Sequence, residues 1–192
     1  MGYKTLHDYL CGHNSLDDIW DAVEQRFTRI KLPAKTILLE AGDICENAYF
    51  VEKGVLRTYI KDGDDIVTTR LIDEGKFITS SSSFNLMEES LEYIDTIEPA
   101  EISIISRKDI MYLINKYPQT AICLCSIYRS IVVERSYRYS LIRTPSAEKR
   151  LELLYKLEPN IVDRVSNKQL ASYLGMTSET LSRLLHKRKN QK

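Results

Sequence analysis

One stretch of sequence decides how the C-terminal part of the chain folds: residues 166–189, which read SNKQLASYLGMTSETLSRLLHKRK. Ser166 with Gln169 three residues later is a capping box, which begins a helix by pairing two side chains with free backbone N–H groups. Gly175 supplies a turn after this helix, and Thr177 is placed to cap a second one. Two short helices joined by a short turn that contains glycine form a helix-turn-helix.

The apolar residues of this stretch fall on the inner faces of both predicted helices. They are Leu170, Ala171 and Leu174 on the first helix, and Leu181 and Leu184 on the second. Ala171 suits the point where the helices approach too closely for a larger side chain. The motif therefore predicts a small core of its own.

In this geometry the first turn of the second helix faces the major groove of DNA. Four side chains share its exposed side: Ser178, Glu179, Ser182 and Arg183. Arg183 can donate twice to guanine O6 and N7, and Glu179 can accept from cytosine N4, each pair being worth about 1–3 kcal/mol of discrimination. We therefore expect these four residues to contact base edges.

Basic residues surround that face and suit contacts with DNA phosphates, which supply affinity without sequence specificity. They are Lys168, Lys187, Arg188 and Lys189. A simpler alternative is that Glu179 and Arg183 form only a surface ion pair, four residues apart on one helix. The turn, the caps and the basic surroundings together favour DNA binding.

The charge of the chain is divided between its two ends. Over all 192 residues, 27 basic and 27 acidic side chains cancel. Residues 1–141 hold 16 basic and 22 acidic side chains, a net charge of −6, whereas residues 142–192 hold 11 and 5, a net charge of +6. A basic C-terminal part is a candidate for binding a polyanion.

A long helix is predicted from Pro118 to about Arg143, where Thr144 and Pro145 stop it. Its apolar stripe is wide, and the residues expected at a dimer seam are Leu124, Ile127, Tyr128 and Ile131. That stripe either docks on the preceding domain or pairs with the same helix of a second chain. Because one small barrel cannot easily cover so wide a stripe, pairing is favoured.

Between residues 31 and 105 the hydrophobic period is that of β-strands, whereas residues 1–30 and 106–115 have a helical period. The expected strands are Thr36–Leu39, Tyr49–Val51, Leu56–Ile60, Ile66–Ile72, Ile94–Ile97 and Ile102–Ile105. Asp62 and Gly63 between two of these runs indicate a hairpin, because glycine readily takes the positive φ of a tight turn. Strands at such even spacing predict a small antiparallel barrel or sandwich.

Composition points away from a membrane or secreted protein. The longest apolar run is far shorter than the ~20 residues that span a bilayer. The first residues also lack the apolar stretch of a secretory signal. We therefore expect a cytoplasmic location and no membrane partner.

The four cysteines match no zinc or iron–sulfur spacing. Cys123 and Cys125 are two residues apart on a predicted helix and should point to different faces. His7, Cys11 and His13 cluster near the N-terminus, but this pattern alone is too weak to predict a site. The expectation is free thiols in a reducing compartment, with no metal and no cofactor.

Two segments, together with this order of elements, carry a family resemblance: AGD at 41–43 followed by AYFVEKGVLR at 48–57, and MTSETLSRL at 176–184. The chain resembles the Crp/Fnr transcription regulators of bacteria over about residues 15–189, and in particular their short members from Bacteroidetes. The resemblance implies an α+β fold: an N-terminal antiparallel β-roll, a long dimerisation helix and a C-terminal winged-helix-like helix-turn-helix with little or no wing. The corresponding domains would be residues 1–117, 118–143 and 144–192.

The resemblance also implies residue roles. Glu179 and Arg183 match the family's two base-contacting residues, and Thr177 and Thr180 are placed for phosphate contacts. Members that bind cyclic nucleotides carry Gly-Glu and Arg-Ser/Thr pairs, where this chain has Thr79-Ser80 and Ser90-Leu91. Without that arginine a buried phosphate charge would be uncompensated, so cyclic AMP or GMP is disfavoured. The candidate pocket for another effector comprises Thr79, Ser80, Ser81 and Ser90.

These observations predict a homodimeric transcription regulator that binds an inverted-repeat site on double-stranded DNA. Its further partners would be RNA polymerase and an unidentified small-molecule effector. One alternative is a ligand-binding or protein-interaction module of the same fold without sequence-specific DNA binding. The second alternative is an enzyme built on the β-roll, such as one with a cupin-like metal site. The absence of histidine between residues 14 and 185 disfavours that metal site, and no nucleophile with a matching base is evident from the spacing, so an enzyme is not expected.

Overall fold

A computed structural model describes residues 5–13 and 16–190, without the side chain of His13. Its helices are α1 (Leu6–His13), α2 (Trp20–Glu24), α3 (Ser81–Leu86), α4 (Arg107–Lys116), α5 (Gln119–Arg143), α6 (Ala147–Leu157), α7 (Asn167–Tyr173) and α8 (Ser178–Lys189), with a 3₁₀ turn at Asp17–Ile19. Its strands are β1 (Thr28–Leu32), β2 (Ile37–Leu39), β3 (Asn47–Lys53), β4 (Leu56–Asp62), β5 (Asp65–Ile72), β6 (Phe77–Ile78), β7 (Tyr93–Thr96) and β8 (Ala100–Ser106).

The strands form two antiparallel four-stranded sheets, which together are called the β-roll. Their orders are β1-β8-β3-β6 and β2-β7-β4-β5. The predicted hairpin is present, since Asp62 pairs with Asp65 and Gly63 has a φ of 58°. All six predicted strands have counterparts, and the predicted α+β class is confirmed. No strand follows α8 in the described residues, which end at Asn190.

The expectation of helix through residue 30 is wrong beyond α2. Thr28–Leu32 is strand β1, which pairs with β8 from Thr28 opposite Ile104 to Leu32 opposite Ala100. The partner strand lies about 70 residues away in sequence, so the local helical period could not reveal it. The short strand β6 and helix α3 were also not predicted from the sequence.

Two hydrophobic cores are present, and the second joins the β-roll to the C-terminal helices. The first contains the ring cluster of Phe50, Phe77 and Tyr9, with centroids 5.1–5.5 Å apart. The second consists mainly of apolar residues from α5 to α8, but it also contains Val55 and Leu71 of the β-roll. The C-terminal helices therefore pack directly on the β-roll. None of the helices described here is long and apolar enough to span a bilayer.

Arg164, between α6 and α7, ties the two parts together by ion pairs. It donates to both carboxylate oxygens of Glu74, at 2.7 and 2.6 Å, and also to Glu98. Glu74 accepts a third hydrogen bond, from the backbone N–H of Gly54 at 2.8 Å. Burial alone would raise the pKa of Glu74, but the hydrogen bonds from Arg164 and Gly54 outweigh it and lower the pKa to about 2.

We predict that this ion pair stabilises the fold in a pH-dependent way. A double-mutant cycle of Arg164→Ala and Glu74→Ala should give a coupling energy of about 0.5–3 kcal/mol near neutral pH, measured by urea unfolding. Because folding lowers the pKa of Glu74 from 4.5 to about 2, the coupling should be complete above 4.5 and decline as the pH falls towards 2.

The exposed pair Lys187–Glu148, with 2.9 Å between its charged atoms, is the matched control. The double-mutant cycle for this pair should give a coupling energy of only about 0–1 kcal/mol, since exposed ion pairs contribute little to the free energy of unfolding. Two results would contradict a stabilising Arg164–Glu74 ion pair. One is a cycle that shows no coupling energy at neutral pH, and the other is a coupling energy that is unchanged at about pH 3.

Candidate nucleic-acid interface

The helix-turn-helix predicted from the sequence is present, and its caps are formed as expected. The Ser166 side chain accepts from the N–H of Gln169 at 3.3 Å, and the Gln169 side chain accepts from the N–H of Ser166 at 3.1 Å. Gly175 has a φ of 62° in the turn. Thr177 then caps α8 by accepting from the N–H of Thr180 at 3.2 Å. These local bonds fix where each helix begins.

The interior of the motif also matches the predicted pattern. Leu170, Leu174 and Leu181 are completely buried, and Ala171 is buried between them. Leu184 is partly buried against the same cluster. The apolar sides of α7 and α8 therefore pack against each other and the second core, and the polar side of α8 faces outward.

The four residues predicted to contact bases, Ser178, Glu179, Ser182 and Arg183, are all exposed on α8. In the described part of the chain, no ion pair joins Glu179 to Arg183. The simple surface-pair alternative is therefore not what the structure contains. Both side chains keep their donor and acceptor groups available to another molecule.

The residues predicted to contact phosphates differ in their surroundings. Lys168 and Lys189 are exposed. Lys187 pairs with Glu148, and Arg188 lies 4.0 Å above the ring of Tyr155. The hydroxyls of Thr177 and Thr180 lie 2.9 Å apart. Surface pairs of this kind are weak, so phosphates could replace these partners at little cost.

The position of the motif depends on residues that the sequence analysis did not identify. Arg150 of α6 donates to the carbonyls of Thr144 at 2.8 Å and Gly175 at 3.3 Å, which ties the end of α5 to the turn. Ser172 of α7 contacts strand β5: its hydroxyl accepts from the N–H of Thr68 at 2.9 Å and donates to the carbonyl of Ile66 at 3.0 Å. No local pattern could reveal contacts across 25 to 106 residues.

A second polar cluster lies where α5, α6 and α7 meet. The hydroxyl of Tyr173 bonds both carboxylate oxygens of Glu158, at 3.1 and 3.2 Å. The Arg138 guanidinium stacks on the Tyr173 ring at 3.8 Å. Burial raises the pKa of Tyr173 and also that of Glu158. The cluster orients α7, because Tyr173 is the last residue of that helix.

The predicted effector pocket is not a single opening in the structure. Ser80 and Ser90 are buried, and their hydroxyls lie 2.9 Å apart. Ser81 accepts from Arg135 at 3.0 Å. Thr79 alone of the four lines a cavity of about 100 Å³, whose other walls are mainly apolar side chains of α1, α2, α4, α5 and the β-roll. The four residues therefore do not share one site.

The predicted dimer residues lie on the side of α5 that faces the β-roll of the same chain. Leu124, Ile127, Tyr128 and Ile131 all line that same cavity. Ile127 is only 9% exposed and belongs to the first core, because α5 docks on the β-roll of its own chain. The large apolar side chains that α5 leaves exposed are Ile122, Val132, Val133, Tyr137, Tyr139 and Ile142.

The cysteines described are free thiols, as expected. Cys123 and Cys125 point to different faces of α5, since Cys123 is buried and Cys125 is exposed. Burial raises the pKa of the Cys123 thiol to about 11. Of the N-terminal cluster noted in the sequence, His7 and Cys11 lie in contact, whereas the side chain of His13 lies outside the described residues.

Residues 29–117 match the protein family described as the cyclic nucleotide-binding domain. The chain is also 31% identical over 90 residues to the cAMP-activated global transcriptional regulator CRP of Pasteurella multocida. That alignment covers 46% of this chain and 43% of the relative, so the chain matches less than half of that protein's length.

Solved structures extend the likeness beyond the cyclic nucleotide-binding domain. The c-di-GMP responsive global regulator CLP of Xanthomonas campestris is 18% identical, with 91% of this chain and 92% of that chain covered and a TM-score of 0.71. FixK2 from Bradyrhizobium japonicum is 17% identical, with coverages of 86% and 85% and a TM-score of 0.74. A putative Crp/Fnr-family regulator from Eubacterium rectale is 16% identical, with coverages of 89% and 82% and a TM-score of 0.67.

These likenesses reach past the domain and include the C-terminal helices, so the chain has the fold of the Crp/Fnr regulators. The resemblance predicted from the sequence motifs is confirmed, with homology to CRP over the aligned 90 residues. At identities of 16–18%, this likeness concerns the fold alone.

Proposed function

We propose that the chain is a Crp/Fnr-type transcription regulator that binds double-stranded DNA through α8. The observation that carries this proposal is the exposed, mutually unpaired Glu179 and Arg183 at the start of α8. An arginine and a glutamate one turn apart suit a guanine and a cytosine edge in the major groove. Lys168 and Lys189, both exposed near this helix, suit phosphate contacts.

The regulator would act as a homodimer joined along α5. One exposed side of this helix carries Ile122, Cys125, Arg129, Val132, Ser136 and Tyr139, spaced alternately by three and four residues. This is the spacing of a coiled-coil seam, and three of these positions are large apolar side chains about 60% exposed. Two copies joined there would place their α8 helices about one DNA turn (~34 Å) apart, which suits an inverted-repeat site.

The β-roll would bind an effector other than a cyclic nucleotide. The segments that would meet a cyclic nucleotide carry Ser80 in place of the carboxylate and Ser90 in place of the guanidinium, and the hydroxyls of these two serines bond each other. An effector that favours one arrangement of the two C-terminal parts would change DNA affinity by shifting populations. We expect RNA polymerase as a further partner in the cytoplasm.

Selection from a random duplex library tests the DNA contacts. The wild type should select a two-fold symmetric motif, and Arg183→Ala should lose preference at one base pair per half-site, because about 1–3 kcal/mol of discrimination is removed. Lys168→Ala should weaken binding evenly across sequences. It should also reduce by about one the slope of the logarithm of the binding constant against the logarithm of the salt concentration.

The matched control for the selection is Arg29→Ala, which removes an exposed arginine of β1 that pairs with Glu24. It should leave both the motif and the affinity unchanged. If Arg183→Ala selects the wild-type motif, the helix-turn-helix does not contact bases through this residue. Absence of any duplex binding would instead favour the protein-interaction module.

Oxidative cross-linking through the native thiols tests the dimer seam. Cys125 is exposed on the proposed seam, whereas Cys45 and Cys123 are buried. Two Cys125 side chains facing each other across the two-fold axis should form a disulfide, since their Cα atoms would lie within about 7 Å. A covalent dimer should appear on a non-reducing gel, disappear in Cys125→Ser and persist in Cys11→Ser.

Val132→Asp supplies an independent measurement, because it places a charge on the same stripe. Sedimentation should then report a monomer where the wild type is a dimer. A wild-type chain that sediments as a monomer, or a dimer unaffected by Val132→Asp and never cross-linked through Cys125, would contradict this seam.

A further inference from the structure

Helix α1 and the 3₁₀ turn after it bring three metal-ligating side chains together. His7 and Cys11 lie one helical turn apart on α1, and Asp17 begins the turn. Nε2 of His7 is 3.7 Å from Sγ of Cys11 and 3.5 Å from Oδ1 of Asp17. All three potential ligand atoms lie within 4.8 Å of one another.

These separations fit a tetrahedral site. With Zn–S bonds of about 2.3 Å and Zn–N and Zn–O bonds of about 2.0–2.1 Å, neighbouring ligand atoms lie roughly 3.4–3.6 Å apart. The two separations measured from His7 differ from these values by only a few tenths of an ångström. The third separation, between the ligand atoms of Cys11 and Asp17, is within 4.8 Å, so an ion would have to draw these two atoms together by about 1 Å at most.

The donor set indicates which class of ion would bind. A thiolate and an imidazole favour zinc and related transition metals, whereas magnesium and calcium favour oxygen ligands throughout. We propose that His7, Cys11 and Asp17 form a binding site for a divalent transition metal, with Zn²⁺ as the natural occupant. Three protein ligands leave a fourth coordination position for water.

Access to the site is open. The side chains of His7 and Asp17 are 45% and 61% exposed, and Cys11 is partly exposed. An ion can therefore enter from solvent, and a water molecule has room at the fourth position. Because the ligands sit at the surface, their replacement should not disturb folding.

The site rests on buried neighbours that hold its ligands in place. Leu10 of α1 and Leu16 before the turn are buried in the first core. The ring of His7 meets the ring of Trp20 edge-on, with 4.6 Å between centroids. The Leu10 carbonyl lies 3.5 Å from the Cys123 thiol of α5, from which it accepts a hydrogen bond. A bound ion would therefore link α1 to the 3₁₀ turn, next to α5. This effect does not depend on whether the chain binds DNA.

Titration of the untagged, chelator-treated full chain with Co²⁺ and Zn²⁺ tests the site. Cobalt should bind at one equivalent and give visible d–d bands together with a near-ultraviolet band from thiolate-to-cobalt charge transfer, and Zn²⁺ should displace it. Cys11→Ser should abolish the charge-transfer band. His7→Ala and Asp17→Asn should each weaken Zn²⁺ binding at least about tenfold, as even outer-shell changes at metal sites can.

Matched controls remove the same residue types elsewhere in the chain. Cys125→Ser removes the exposed cysteine of α5, and His186→Ala removes the exposed histidine of α8. Neither should change the cobalt spectrum or the affinity for Zn²⁺. Circular dichroism of each variant confirms that it is folded.

Three results would overturn the proposal. The first is a folded chain that gives no charge-transfer band with Co²⁺ and does not bind Zn²⁺. The second is a band that persists in Cys11→Ser but vanishes in Cys125→Ser, which would assign the ion to α5. The third is binding that is equally strong in His7→Ala, Asp17→Asn and the wild type.

Discussion

Strand β5 lies at the edge of its sheet, so the outer side of its backbone has no strand partner, and helix α7 covers it. The Ser172 hydroxyl forms hydrogen bonds with two backbone groups on this outer side, the N–H of Thr68 and the carbonyl of Ile66. Since α7 shares its core with α8, this contact fastens the helix-turn-helix to the β-roll. The second core and the Arg164–Glu74 ion pair also hold the C-terminal helices against the β-roll.

The same contact suggests how the β-roll could act on DNA binding. Beside the apolar contacts of Val55 and Leu71 with the C-terminal helices, two polar contacts join these helices to the β-roll: the Ser172 hydroxyl on β5, and Arg164 between Glu74 and Glu98. Polar contacts of this kind can be exchanged for water, whereas a wholly apolar interface resists rearrangement. If the β-roll bound an effector, a shift of β5 or of Glu74 would act on the C-terminal helices through these two polar contacts.

Much of the C-terminal motif could be predicted because its chemistry is local. The capping box of Ser166 and Gln169, the turn at Gly175 and the exposed start of α8 each depend on residues within one or two helical turns. The rest depends on contacts across the chain. Arg164 is 90 residues from Glu74, and β1 becomes a strand only through pairing with β8. On α5, apolar residues occur on two sides, so the sequence could not tell that Ile127 faces the β-roll while Ile122 and Val132 face outward.

The central claim is that two copies of α8 occupy successive major grooves on one face of DNA. Protection of guanine N7 from methylation, measured along a selected operator, tests it directly because N7 is exposed in the major groove. The predicted result is two protected patches related by two-fold symmetry, with centres about 10 base pairs (~34 Å) apart. A single patch, or an operator whose N7 atoms all remain reactive when the protein is bound, would contradict the claim.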